Sequence, residues 1–428
     1  MAPKPTPRDL ALEFLSTILD RDRLLDDMLE DRRLATLDDR DRAFVRMLLA
    51  TTLRRLGQID ALIALCLDRP LGPRAVMACH ALRLGVCQLL FLDLPPHAAI
   101  STTVDLVKHT PLAGFTGLIN AVLRRLSRDG AEMVAAQDAA RLDTPDWLWR
   151  SWSNTYGDEV AHAIAAAHLT EAPVDITVAA DPEGWAARLE AEILPTGSLR
   201  RSGGGAVSRL AGFDEGGWWI QDAAAALPAR LFGDVRGKRV VDLCAAPGGK
   251  ALQLASAGAV VTALDRSAPR LGRLSDNLAR LGLSATIIAA DAAAWAPGET
   301  FDAVLLDAPC SATGTLRRHP DVARHKSPAD VTKLSAAQAR LFEAATALLV
   351  PGGTLIYCVC SLEPQEGIDQ VERALAAGAP LERVPIRPDE VGGLAELITP
   401  AGDLRTLPCH LGEKGGMDAF FAARLRRV

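Results

Sequence analysis

Val241-Asp242-Leu243-Cys244-Ala245-Ala246-Pro247-Gly248-Gly249-Lys250 is an apolar strand that runs into a turn of small residues and then into a helix. Glycine lets the backbone come close to a ligand, and the helix beyond it presents free N–H groups. The turn is not GxGxxG, so a pyrophosphate-bearing dinucleotide is not the first ligand it suggests. On either side of this stretch, from residue 236 onward, strands alternate with helices. The candidate strands are Arg239–Cys244, Val260–Asp265, Ala285–Asp291, Phe301–Asp307, Gly353–Cys360 and Phe420–Leu425, with helices between them, as at Arg270–Leu281 and Ala336–Leu349. Continuous apolar strands in such alternation predict a parallel sheet wound on both faces.

The rest of the chain has a different texture. Residues 8 to about 128 carry apolar side chains at helical spacing, as in Leu10, Phe14, Leu15 and Ile18. Breakers stand at Arg69-Pro70, Pro95-Pro96 and Pro111, where helices should end. Residues 129–145 read as a linker, and a new helix starts near Thr144-Pro145. Between Pro173 and Ile220, β-like pieces and the Gly203-Gly204-Gly205 cluster predict a small α/β insertion with one mobile loop. Trp218-Trp219 reads as core at a sheet edge rather than as a base-stacking platform.

With 428 residues, 49% of them hydrophobic and 23% charged, the chain is expected to form two or three soluble domains. Lys and Arg number 47 against 53 Asp and Glu, a net charge of −6 that excludes a broadly basic nucleic-acid binder. The excess is uneven: residues 1–130 hold 18 basic and 16 acidic side chains, leaving 29 and 37 for the rest. The start lacks an apolar signal region, and no run of about eighteen uncharged apolar residues suggests a membrane span. Eight scattered cysteines without a CxxC pair suggest neither a metal site nor a disulfide framework, and free thiols fit a reducing cytoplasm.

Two acids follow the opening turn. Asp265 closes the second strand, where a carboxylate can accept from ribose hydroxyls, and Asp291 closes the third, within reach of an adenine amino group. Together with the 244–250 turn they form the layout of an S-adenosylmethionine site. Two cysteines then close the fourth and fifth strands, in Asp307-Ala308-Pro309-Cys310 and Tyr357-Cys358-Val359-Cys360. Ligands of an open α/β sheet lie beyond the strands' carboxyl ends, so Cys310 and Cys360 are predicted to flank one cleft. Cys358 reads as a small buried hydrophobe. A thiolate suits methylation at C5 of cytosine, because addition at C6 turns C5 into a nucleophile. An acid near N3 would stabilise the developing charge, and a base must later remove the C5 proton.

These residues resemble the NOL1/NOP2/Sun family of RNA cytosine-C5 methyltransferases, and within it the bacterial RsmB (Sun/Fmu) branch. The matching segments are CAAPGGK at 244–250, DAPCSATG at 307–314, RRHPD at 317–321, VCS at 359–361 and the closing GMDAFF at 416–421. Residues 37–55, 82–100 and 119–128 are similar to the NusB-type helical domain of that branch. Val359 and Ala251 stand where the family often has Thr, 174–179 lacks its usual arginine- and asparagine-bearing strand, and Arg324-His325-Lys326 replaces a stretch that often holds Trp.

The resemblance implies an all-α NusB-like RNA-binding domain at 1–128, the linker at 129–145, a small α/β RNA-binding subdomain at 146–235 and a Rossmann-like methyltransferase domain at 236–428. It implies Cys360 as nucleophile, Cys310 as the group assisting proton removal and release, and Asp307 facing both methyl group and base. Cys244, Ala245, Ala246, Pro247, Gly248, Gly249, Lys250, Asp265, Asp291 and Asp307 would hold S-adenosylmethionine, with Cys244 contributing only backbone. The implied substrate is 16S rRNA, naked or in an early small-subunit particle, acted on by a monomer at one flipped-out cytosine. Arg317, Arg318, Arg324 and Lys326 beside the DAPC loop are expected to contact phosphate, and Arg124 and Arg125 form a further basic cluster. Arg200-Arg201 reads as a solvated face. Three alternatives stand beside this reading: the same chemistry on tRNA, the two thiols in exchanged roles, or a non-catalytic RNA-binding or assembly factor.

Overall fold

Apolar spacing changes from helical to strand-like near residue 170, and the chain divides there. The computed structural model describes residues 5–108, 110–203 and 207–428. It forms two units: residues 1–170 with 316–325, and residues 171–315 with 326–428. The Gly204-Gly205 part of the expected mobile loop lies outside the described residues.

The first unit is helical: α1 (Pro7–Arg21), α2 (Leu25–Leu29), α3 (Asp39–Arg54), α4 (Leu56–Leu65), α5 (Val76–Leu90), α6 (Pro96–Lys108), α7 (Thr116–Ala135), α8 (Ala139–Asp143), α9 (Asp146–Tyr156) and α10 (Asp158–His168). Leu10, Phe14, Leu15 and Ile18 lie on one buried face of α1, whose N-terminus carries a Thr6/Asp9 capping box. They join Leu48, Leu49, Leu82, Leu84 and Leu123 in one core.

The expected linker at 129–145 is instead part of this unit. Helix α7 continues to Ala135, and α8 occupies most of the remainder. Within α7, a Cβ at Gly130 would meet the Leu90 side chain at 2.9 Å, so glycine lets the two helices approach there. Gly57 explains the close approach of α4 to α8: a Cβ there would meet the Leu142 carbonyl oxygen at 1.8 Å. The Gln58 amide donates to Asp143 Oδ1 at 2.9 Å and completes the seam. Helices α9 and α10, expected to belong to the small α/β subdomain, also belong to the helical unit.

The second unit begins with a small antiparallel sheet: β1 (Val174–Val178), α11 (Pro182–Leu189), β2 (Glu192–Ile193), β3 (Leu199–Arg201) and β4 (Trp218–Ile220), in the order β2-β3-β1-β4. Trp218 and Trp219 are both buried and pack into two different cores, as consecutive strand residues must. Arg200, read as solvated, is instead buried in a bidentate pair with Asp175 at 2.7 Å. Two further bonds from its guanidinium reach the carbonyls of Lys414 and Gly416. The strand thus lends a cation to fix the chain just before its final strand.

After α12 (Leu227–Arg230) come β5 (Arg239–Leu243), α13 (Gly249–Ser256), β6 (Val260–Asp265), α14 (Ala268–Leu281), β7 (Thr286–Ala289), β8 (Phe301–Asp307), α15 (Val322–His325), α16 (Pro328–Ala347), β9 (Leu349–Val359), α17 (Ile368–Ala376), β10 (Leu381–Arg383), β11 (Leu404–Thr406) and β12 (Phe420–Arg427). The sheet order is β10-β12-β9-β8-β5-β6-β7, with β11 beside β12. Strands β5 to β9 pair in parallel, and β12 enters antiparallel to β9. Alternate residues of β8 and β9 feed separate cores on the two faces, which is why these strands are apolar throughout. Strand order reverses around β5, so the crevice opens at the carboxyl ends of β5 and β8.

Gly57→Ala should destabilise the helical unit by about 3 kcal/mol, the upper range for forced overpacking. Urea unfolding measures this, and a loss below about 0.5 kcal/mol, the level of an indifferent surface change, would show that α8 is not fixed against α4.

Candidate active site

The 244–250 turn is built by its own backbone. Cys244 has left-handed φ, 72°, which swings the chain off β5, and α13 begins at Gly249. Asp265 is buried at the end of β6 and accepts from the amides of Ala246 at 3.2 Å and Ser267 at 2.8 Å. It therefore braces the turn as well as closing its strand. Asp291 lies exposed two residues beyond β7 and accepts from the Ala293 amide at 3.0 Å.

Lys250 points back across the sheet. Its Nζ meets Asp307 Oδ2 at 2.7 Å and lies 4.8 Å from the centre of the Phe420 ring. Burial works against the lysine's charge, but the adjoining Asp307 outweighs it and holds the ammonium above its ordinary range. The other oxygen of Asp307 accepts from the Cys358 thiol at 3.6 Å. Cys358 is therefore more than an inert hydrophobe: burial, then the charge of Asp307, push its thiol well up and keep the proton that it donates.

Cys310 and Cys360 come together, with their Sγ atoms 3.5 Å apart. Their loops are stitched by the Gly314 amide, which donates to the Cys360 carbonyl at 3.0 Å. A Cβ at Gly314 would meet the Ala419 carbonyl at 2.4 Å, so only glycine fits between the Cys360 loop and the start of β12. The Cys310 thiol is pushed well up, first by its hydrogen bond to Cys360 and then by burial.

Asp242 is one acid that the sequence offered but motif reading passed over. It lies on β5, is 1% exposed, and neither carboxylate oxygen has a partner among the described residues. Burial above all, then the neighbouring charge of Asp307, push its carboxyl well above the usual range, with Lys250 partly offsetting them. A buried acceptor left open beside a turn that presents backbone N–H groups fits a ligand with its own donors, such as an amino-acid ammonium. The alert was visible in sequence as a charge inside an otherwise apolar strand.

The basic residues divide. Arg124 and Arg125 are exposed on α7, and Arg318 is exposed. Arg317 is 1% exposed inside the helical unit, and its carbonyl accepts from Arg54 Nη2 at 2.9 Å. Arg324 donates to the Asp143 carbonyl at 3.0 Å. Asp321 in the same segment caps the α2 start by accepting from the Leu25 amide at 2.9 Å. The expectation of phosphate contacts at Arg317 and Arg324 is therefore corrected: their side chains serve the helical core. Lys326 is half-buried in the other unit.

A parallel sheet with a reversal at β5, a small-residue turn and acids at successive strand ends define the fold of a methyltransferase. Residues 231–426 match the family model described as 16S rRNA methyltransferase RsmB/F, and residues 5–128 match the NusB family. Ribosomal RNA small subunit methyltransferase B of Xylella fastidiosa (strain Temecula1) is 38% identical over 98% of this chain and 97% of its own. The protein of the same name from Xanthomonas campestris pv. campestris is 37% identical over 88% and 89%. The crystal structure of PH0851 shares the fold, with a TM-score of 0.78 at 22% identity over 99% of this chain and all of that one. The chain belongs to the RsmB/F methyltransferase family, with a NusB-type helical domain before the catalytic fold.

Because the folded state raises the pKa of Asp242, proton release there favours the unfolded chain as pH rises above the ordinary carboxylate value. Asp242→Asn should therefore raise the melting temperature of the ligand-free protein, and by more at pH 8 than at pH 5. The gain should grow by up to about 1.4 kcal/mol per pH unit. An equal gain at both pH values would refute an unpaired acid at this position.

Proposed function

We propose that this chain transfers a methyl group from S-adenosylmethionine to C5 of one cytosine in 16S rRNA, through a covalent bond between Cys360 Sγ and cytosine C6. The observation that carries this reading is the 3.5 Å approach of Cys310 and Cys360, which follow the ends of neighbouring strands β8 and β9. Methyl transfer to oxygen or nitrogen needs no thiol, whereas C5 of cytosine becomes nucleophilic only after addition at C6. The names of the relatives support a small-subunit rRNA substrate.

The cofactor supplies an electrophilic methyl group when bound. The 244–250 turn, Asp265, Asp291 and the open carboxyl of Asp242 are the groups that would hold it. Cys360 attacks C6, and the C5–C6 π electrons become available at C5. The Lys250 ammonium, held in place by Asp307, faces the negative charge that develops on the ring. With both Asp307 oxygens already engaged, the lysine is the member of the pair that carries a proton. After transfer, loss of the C5 proton returns its electron pair to the ring, and the bond from C6 to Cys360 breaks. Cys310 adjoins the sulfur being released and assists proton removal.

Exposed Arg124, Arg125 and Arg318 and half-buried Lys326 remain the candidates for phosphate contact. The helical unit gives no net help. Two basic and six acidic residues at 131–170, and three basic and one acidic at 316–325, bring it to 23 of each sign. Recognition therefore rests on local patches.

With 16S RNA containing 5-fluorocytosine, which retains fluorine where a proton should leave, the wild-type protein should form a denaturation-resistant adduct. Cys310→Ala should retain this adduct and Cys360→Ala should lose it; the reverse pattern would exchange the two roles. Bisulfite sequencing of RNA from a deletion strain should show one 5-methylcytosine missing from 16S rRNA. Loss from tRNA alone would overturn the substrate.

A further inference from the structure

Glu366 is fully buried on the short turn after β9, six residues past Cys360, and has no part in the mechanism above. Its carboxylate receives donors from two loops. From one side, the Ser311 amide reaches Oε1 at 2.9 Å, and the Ser311 hydroxyl reaches Oε2 at 2.5 Å. From the other side, the Ser361 hydroxyl reaches Oε2 at 2.6 Å. Gln338 Nε2 adds a fourth donor at 3.2 Å, and no Lys or Arg pairs with this carboxylate among the described residues. Ser311 directly follows Cys310, and Ser361 directly follows Cys360. One carboxylate thus holds the residue next to each thiol.

A buried carboxylate without a cation is expensive, and charge-assisted hydrogen bonds are what make it tolerable. The same bonds constrain the donors. Ser311 and Ser361 oxygens lie 3.1 Å apart on this shared acceptor, and the Tyr357 hydroxyl fixes the Glu366 carbonyl at 2.5 Å. Neither thiol loop can shift along its strand end without stretching a bond to Glu366.

We propose that Glu366 is a positioning residue that sets the spacing of Cys310 and Cys360, so that the thiol assisting proton removal stays beside the thiol being released. This rests on the function proposed above for its catalytic consequence, but not for its geometric one.

The test uses the full chain with two readouts. Phenylarsine oxide bridges paired thiols and reports their spacing without any methyl transfer; Cys310→Ser identifies the pair as its target. Glu366→Gln keeps the side-chain shape but replaces one acceptor oxygen with a donor. It should weaken phenylarsine oxide binding about tenfold, the scale of one lost charge-assisted hydrogen bond. Ser361→Ala removes a single donor and should weaken it less, by about threefold. Turnover on 16S RNA should fall in the same order, with KM for RNA and S-adenosylmethionine binding unchanged. If Glu366→Gln loses cofactor binding, indicating misfolding, Ser361→Ala decides by the same measure. Unchanged arsenical binding in a folded Glu366→Gln or Ser361→Ala protein would overturn the proposal, whatever the activity. Weakened arsenical binding alongside a wild-type protein that methylates no cytosine would instead leave Glu366's spacing role standing and overturn the function.

Discussion

An ion pair between a buried lysine and a half-buried aspartate governs this site. Lys250 Nζ and Asp307 Oδ2, 2.7 Å apart, join the first turn of α13 to the end of β8. These ends flank the strand-order reversal, so the pair spans the crevice that the topology creates. Its charges reach further than its contacts. Asp307 helps to hold the protons of Asp242 and Cys358 in place, and Lys250 is the counter-charge that keeps three acids in one pocket tolerable. Removing Asp307 would leave the buried charge of Lys250 uncompensated. The sheet therefore supplies both the place and the electrostatic reason for a reactive site.

Much of this could be read from residue order. Val260–Asp265 and Phe301–Asp307 have the bounds that their apolar runs predicted. Cys310 and Cys360 are fifty residues apart, yet meet because both end neighbouring parallel strands. Helix α16 was less legible: it starts at Pro328, eight residues before the expected point, with Ser327 and Asp330 forming a capping box hidden in a charged stretch.

What sequence missed depended on partners far along the chain. Residues 129–145 look like a linker until α7 is seen to run on to Ala135, with Gly130 against Leu90. Arg317 and Arg324 look like a phosphate-binding run until the helical unit provides Arg54 and Asp143 carbonyl contacts for their segment. Glu366 has no periodicity or motif to mark it, since its meaning comes from two serines that reach it from different loops. Charge runs and single acids state a need for partners, and only the fold says whether water or protein meets it.

The membership of residues 316–325 in the helical unit bears on how the chain matures during synthesis. The first 170 residues emerge early, but the segment that supplies Asp321 to the α2 start emerges only after 145 further residues have been made. Until then the helical unit exists in an incomplete form, with the Leu25 amide waiting for its acceptor. Domains that emerge first usually fold first, and closing so long a loop adds a late, entropically opposed step. The two units thus cannot be separated by a single cut: a gene truncated between them would encode a helical piece missing α15 and the Asp321 cap of α2.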